Sequence, residues 1–244
     1  MEREDRYSCP ALPKNGQKRY TGKNTNMETT QTFQPKTFTA TGLLVLGILS
    51  AYLFLPGIPE ISGSVRSLLF GIVFLVLVPM AHVRFVLKRP LSSMGFSGSL
   101  RPGHILTAIL AAVPALLVFA SGLRLFDTEI PYSLPSVVRD SFPWFLFYEI
   151  VLLGSVTFIY EVFFRGLVML SWFASFGVAA VLLQFLVLVT FLSVSGGFEW
   201  RNAPMMLAGL VAGFTAYRTR SIRYSWLTAW LTMMLADVLF LMID

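Results

Sequence analysis

Histidine and cysteine are nearly missing from this chain: 244 residues hold two of the first, His82 and His104, and one of the second, Cys9. A lone cysteine forms no internal disulfide. Neither histidine has a cysteine or a second histidine at ligand spacing, so no metal site is expected. A Ser-His triad is excluded on similar grounds, because histidines are scarce and no Gly-x-Ser-x-Gly turn occurs. Charge is scarce too: 13% of residues are Asp, Glu, Lys or Arg, against 55% hydrophobic. That balance is foreign to an ordinary soluble domain and normal for a multi-span membrane protein. The net charge of +6 is spread over a tail and loops without a nucleic-acid motif, which argues against a nucleic-acid partner. The loop Ser92 to Gly103 lacks the spacing and strand context of a phosphate cradle, and no cofactor is expected.

What the chain does have is long apolar runs. Seven candidate spans run over 40–58, 66–86, 103–122, 143–165, 176–195, 202–217 and 223–243, each near the ~20 residues that cross a bilayer core. The third carries Pro114, which a membrane helix tolerates with a kink. The sixth is short, with Gly209 and Gly213 spaced for close helix packing. The fold class predicted is an all-α polytopic membrane protein of about seven transmembrane helices. Residues 1–38 are polar and read as a disordered cytoplasmic tail, with the helical domain over 39–244. Basic residues set the orientation. With the N-terminus cytoplasmic, all of the nineteen Lys and Arg except Arg66, Arg124, Arg139 and Arg201 fall inside, including Arg165 in the turn after the fourth span. The connection 122–142, with Asp127, Glu129, Arg139 and Asp140, is then external and suits an interfacial turn. The five tryptophans lie mostly near span ends, as belt residues do, and both histidines are expected solvated at cytoplasmic span ends.

The most informative stretch is Phe158-Ile159-Tyr160-Glu161-Val162-Phe163-Phe164-Arg165-Gly166. Glu161 and Arg165 are four residues apart, about one turn, so they share a face and can pair. Ionisable groups at membrane depth are costly and face a protein interior or a cavity. Tyr160-Glu161-x-x-x-Arg165-Gly166 resembles the Glu-Glu-x-x-x-Arg-Gly motif of the CPBP family, the CAAX proteases and bacteriocin-processing or self-immunity (Abi) proteins. The stretch Gly209 to Ile222 resembles that family's glycine-rich helix and basic turn. Arg89 to Phe96 resembles the short loop before its core. The resemblance covers roughly residues 40–244 and implies a CPBP-like core.

In that family the first Glu is taken to activate a water for peptide attack, helped by histidines on two later helices. The resemblance places that Glu at Tyr160, the second Glu at Glu161 and the Arg at Arg165. It places one histidine at Ser195, after Phe191; a shifted register gives Leu192. The other falls at Ala229, Trp230 or Met233, with Asp237 the one acid nearby. Tyrosine, with an ordinary pKa near ~10, is a poor base at neutral pH, and serine does not mimic imidazole. With three catalytic groups replaced, the resemblance implies almost no chemistry of that type, and the Glu161–Arg165 pair reads as structural.

Two further acids, Glu149 and Asp237, stand in apolar runs about six residues from the outer ends of the fourth and last spans, so roughly 9 Å deep. They are expected to share a proton, to bond hydroxyls such as Tyr148 or Thr157, to line an outward-facing polar pocket or contact a partner subunit, or to be unrelated acids near the headgroups. The phenylalanine-rich stretches suit lipid contact. The expected function is non-catalytic: a scaffold, assembly factor or accessory subunit, with other integral membrane proteins, or a larger complex of them, and lipids as partners. The alternative is an active CAAX-type intramembrane endopeptidase using Glu161 as base. A transporter is less favoured, because seven unequal spans show no internal repeat.

Overall fold

The computed structural model describes residues 35–54, 63–96, 101–126, 134–196 and 202–243. Every regular element among them is helical, as hydrocarbon demands, because a helix satisfies its own backbone hydrogen bonds. The helices are α1 (Pro35–Phe54), α2 (residues 63–86), α3 (Pro102–Phe126), the short α4 (Ser136–Asp140), α5 (Phe142–Phe176), α6 (Ala179–Gly196), α7 (Ala203–Thr219) and α8 (Ile222–Ile243). All seven expected spans fall on helices. Five of these (α1, α2, α3, α5 and α8) are long and apolar enough to cross a bilayer. The remaining two, α6 and α7, are shorter; α7 has 17 residues, about 25 Å against a core of ~30 Å. The chain is a multi-pass membrane protein.

Among the described residues α1 runs from Pro35, inside the stretch expected to be tail. Residues 1–34 lie outside the described residues, as do Asp127 and Glu129 of the long connection. α4 supplies the turn expected in that connection, with Val138 buried.

α5 differs most from expectation. It does not end at Arg165 but runs 35 residues to Phe176, about 50 Å. The expected turn carrying Arg165 is therefore absent. From Gly166 to Phe176 the sequence holds no proline and no charge, so nothing breaks the helix before Gly177, where φ reaches +55°. α5 is also the hub: α1, α2, α6, α7 and α8 all pack on it. Every residue from Val162 to Met169 is buried. A helix apolar all round is buried all round, and here Phe163, Phe164, Leu167 and Met169 fill the space between neighbours.

The glycine spacing on α7 does what it predicts. A Cβ on Gly209 would collide with Leu188 of α6, and one on Gly213 would meet Gln184 and Val181. Both glycines let α6 and α7 approach closely. At the end of the bundle that carries Arg218, Arg220 and Arg223, a 3-10 turn (Leu91–Met94) tucks buried Met94 against Gly166. The turn closes on Gly95 (φ +86°), whose carbonyl accepts the Ile222 N–H at 3.2 Å. The segment expected as a loop is thus a latch joining α5 to the α7–α8 turn.

Candidate functional site

Glu161 and Arg165 meet as their spacing predicts, at 3.0 Å, with 1% and 2% of their side chains exposed. They are in the middle of α5, not at its end. Each is held from another helix. Ser225 Oγ of α8 donates to Glu161 Oε2. Arg165 Nη2 donates to the Gly209 carbonyl of α7, which also accepts from Gln184 Nε2 of α6 at 3.3 Å. One ion pair therefore ties four helices. A buried pair offsets its desolvation best when hydrogen bonds satisfy its remaining valences; here both oxygens of the acid have partners, whereas Arg165 Nε has none.

A small cavity of about 10 Å³ lies beside the pair, bounded by Tyr160, Leu188, Met205, Ala229 and Met233 among others. That is room for roughly one water. No peptide segment enters a space of this size. Tyr160 and Glu161 both line it, so the two positions that the sequence resemblance assigns to carboxylates do share one site. Tyr160 turns its ring onto Phe164 and Phe191, 5.8 and 5.7 Å between centroids. On α8, Ala229 and Met233 face the cavity; Trp230 does not. On α6 the cavity residue is Leu188. Ser195 is not brought to the site: it is exposed, and its hydroxyl bonds back to Leu192 O at 3.3 Å. Among the described residues, no imidazole or second carboxylate lines the cavity.

Asp237, assigned by sequence to the same motif, belongs elsewhere. It faces Glu149, and both are 0% exposed. Among the described residues both side chains are sealed from solvent. Tyr148 is close enough to feel both charges. Thr157, the other expected hydroxyl partner, bonds Leu153 O and Gly154 O and lines the Glu161 cavity. Glu149 opens a stretch of wide i→i+5 turns, Tyr148–Leu153. Such turns are rare and occur mostly where a helix must present groups unusually. Its carbonyl accepts Trp230 Nε1 at 2.8 Å, and Gly154 O accepts Trp226 Nε1 at 2.9 Å.

These contacts correct two expectations. Trp226 and Trp230 do more than mark a span end: they stack on each other, 6.0 Å apart, and bolt α8 to α5. Trp172 is likewise 6% exposed, against Phe38; Trp144, 54% exposed, keeps belt character. His82 is buried at 8% exposure, whereas His104 packs edge-on against Tyr224 and stays partly exposed. Trp200 lies outside the described residues. Among the described residues no group of three His, Cys, Asp or Glu could hold a metal ion.

Sequence reasoning missed Ser225 and Gln184. Gln184 left a signal, since it is the one amide in an otherwise apolar membrane helix, where such groups bond across to neighbours. Ser225 left none among the many hydroxyls of α8. No protein-family model, curated protein or solved structure matches this chain.

Proposed function

We propose that the chain is a degenerate relative of the CPBP intramembrane proteases, acting without catalysis as a scaffold, assembly factor or accessory subunit of a membrane protein complex. The observation that carries the reading is the state of Glu161. Its two oxygens are occupied by Arg165 and Ser225, and the space beside it holds about one water. A general base must reach the proton it takes in a plausible substrate pose. Here neither substrate nor attacking geometry fits. Tyr160 stands in place of the water-activating carboxylate, and the helices that would supply histidines offer Leu188, Ala229 and Met233.

What remains is a rigid frame. Four helices locked by one buried network present a fixed outer surface, rich in Leu, Val and Phe, to lipid and to other membrane proteins. The basic residues at Arg84 to Arg101 and Arg218 to Arg223 support an orientation with the N-terminus and these turns in the cytoplasm. The membrane is the cell's inner or plasma membrane, or an internal membrane derived from it. Mild-detergent extraction from the native membrane, followed by sizing and mass spectrometry of co-migrating chains, tests the reading. A stoichiometric integral-membrane partner is the expected result; a monodisperse free chain contradicts it.

A further inference from the structure

A groove of about 420 Å³ lies between α3 and α7, lined by Thr107 and Ala111 of the first and by Phe214, Thr215, Tyr217 and Arg218 of the second. It shares no residue with the Glu161 cavity. Its size falls within the roughly 300–1,000 Å³ of small-ligand clefts. Polarity is ordered along it. The start of α3 and the end of α7 lie at the same end of the bundle, where the Arg101 N–H donates to Tyr224 Oη of α8 and His104 packs on that ring. Thr107 and Arg218 are near these helix ends. Ala111 is one turn deeper on α3, and Phe214 one turn deeper on α7. Phe214 is 46% exposed, so the inner end of the groove is apolar and open to hydrocarbon. The two threonine hydroxyls are committed to their own helices, Thr107 to Gly103 O at 2.9 Å and Thr215 to Val211 O at 3.0 Å. Arg218 is exposed, and among the described residues no carboxylate pairs with it. Arg220, two residues on, lies instead over the Phe173 ring. No acid lines the groove among the described residues, so its one charge is positive.

The occupant that fits carries an anion at one end and an apolar chain at the other. A guanidinium matches phosphate with paired N–H donors, and basic pockets between membrane helices collect anionic headgroups. A free phosphate ion gains nothing from Ala111 and Phe214. An acidic peptide lying on them would leave backbone groups unpaired in hydrocarbon. We propose that this groove binds one anionic phospholipid, with its phosphate on Arg218 and the start of an acyl chain between Ala111 and Phe214. The lipid comes from the leaflet at the basic end of the bundle, and no covalent bond is made or broken. α3 packs on α7 and α8. A lipid seated between α3 and α7 therefore braces α3 against the bundle, and its binding stabilises the fold. The site is independent of the scaffold reading above.

The test uses the full chain, stripped of lipid in a neutral detergent, with dioleoylphosphatidylglycerol or dioleoylphosphatidylcholine added back. Native mass spectrometry counts bound lipid, and thermal unfolding reads its effect. The wild type is expected to bind phosphatidylglycerol about fivefold better than phosphatidylcholine, the worth of one arginine near an anionic surface, and to unfold at a higher temperature with it. Arg218→Gln should lose both the preference and the added stability. Arg84→Gln removes an exposed charge outside the groove and should keep both. Ala111→Phe fills the inner end of the groove and should lose the preference with Arg218 still in place. Inorganic phosphate should not stabilise the wild type. Equal binding of the two lipids by the wild type overturns the proposal, as does a preference that survives Arg218→Gln or falls equally with Arg84→Gln. A preference that survives Ala111→Phe overturns the groove as the seat of the lipid, and stabilisation by inorganic phosphate makes this an ion site instead. Should Ala111→Phe fail to fold, Arg218→Gln decides alone, because an exposed residue in the last turn of a helix is dispensable for folding.

Discussion

Arg165 is among the bulkiest fully buried side chains of the described protein, and it is charged. Its cost is offset by Glu161 on one side and the Gly209 carbonyl on the other. Removing either charge leaves the other buried without its partner, which costs about 3–5 kcal/mol in comparable sites. Arg165→Met and Glu161→Gln are therefore each expected to lower the detergent-unfolding midpoint sharply. The double variant Glu161→Gln/Arg165→Met should recover part of the loss, since both partners are then neutral. An additive double variant would contradict the pairing. At Trp230, Phe keeps the packing and removes one N–H donor to Glu149 O. The expected loss on Trp230→Phe is about 1 kcal/mol, the ordinary worth of such a bond, read as a small fall in the same midpoint. The Glu161–Arg165 pair was legible because its partners are four residues apart on one helix. Ser225 is 64 residues from Glu161, and Gly209 is 44 from Arg165. No local spacing encodes such contacts, which arise only when α7 and α8 fold back onto α5.

The elements were legible where composition alone decides them. Seven apolar runs became seven helices, and the Gly209–Gly213 spacing became a close crossing of α6 and α7. Gly209→Val should push α7 away from Leu188 and from Arg165 together. Overpacking of this kind costs roughly 1–3 kcal/mol. The loss of the Arg165 contact adds to it, so Gly209→Val is expected to be worse than Gly213→Val, where the flexible end of Gln184 can yield. Comparing folded yield of the two variants after identical extraction checks the order. The end of α5 was misjudged because a charged residue, Arg165, was read as an interface marker. In a bundle with a partner at each end of the guanidinium, the charge stays inside and the apolar stretch beyond it continues the helix. The wide turns at Tyr148–Leu153 and Val162–Met169 were invisible for another reason: they keep helical hydrophobicity and change only which backbone groups bond.

Among the described residues, α5 is the hub on which α1, α2, α6, α7 and α8 pack, and α3 joins the bundle through α7 and α8. The proposed orientation follows from where the arginines lie, outside α5. A cysteine introduced at Arg220 in a Cys9→Ala background is expected to react with a membrane-impermeant thiol reagent only from the cytoplasmic side; one at Ser136 should react only from the other. Reversed labelling would invert the topology. The larger question is whether the frame still performs chemistry. The direct test pairs two readouts on the same samples, cleavage of membrane-anchored peptides and thermal unfolding, for the wild type and Glu161→Ala. If Glu161 is a structural anchor, the substitution lowers the unfolding midpoint and leaves cleavage at the background already given by the wild type. Cleavage by the wild type that vanishes in Glu161→Ala while the midpoint and helix content are unchanged would contradict it.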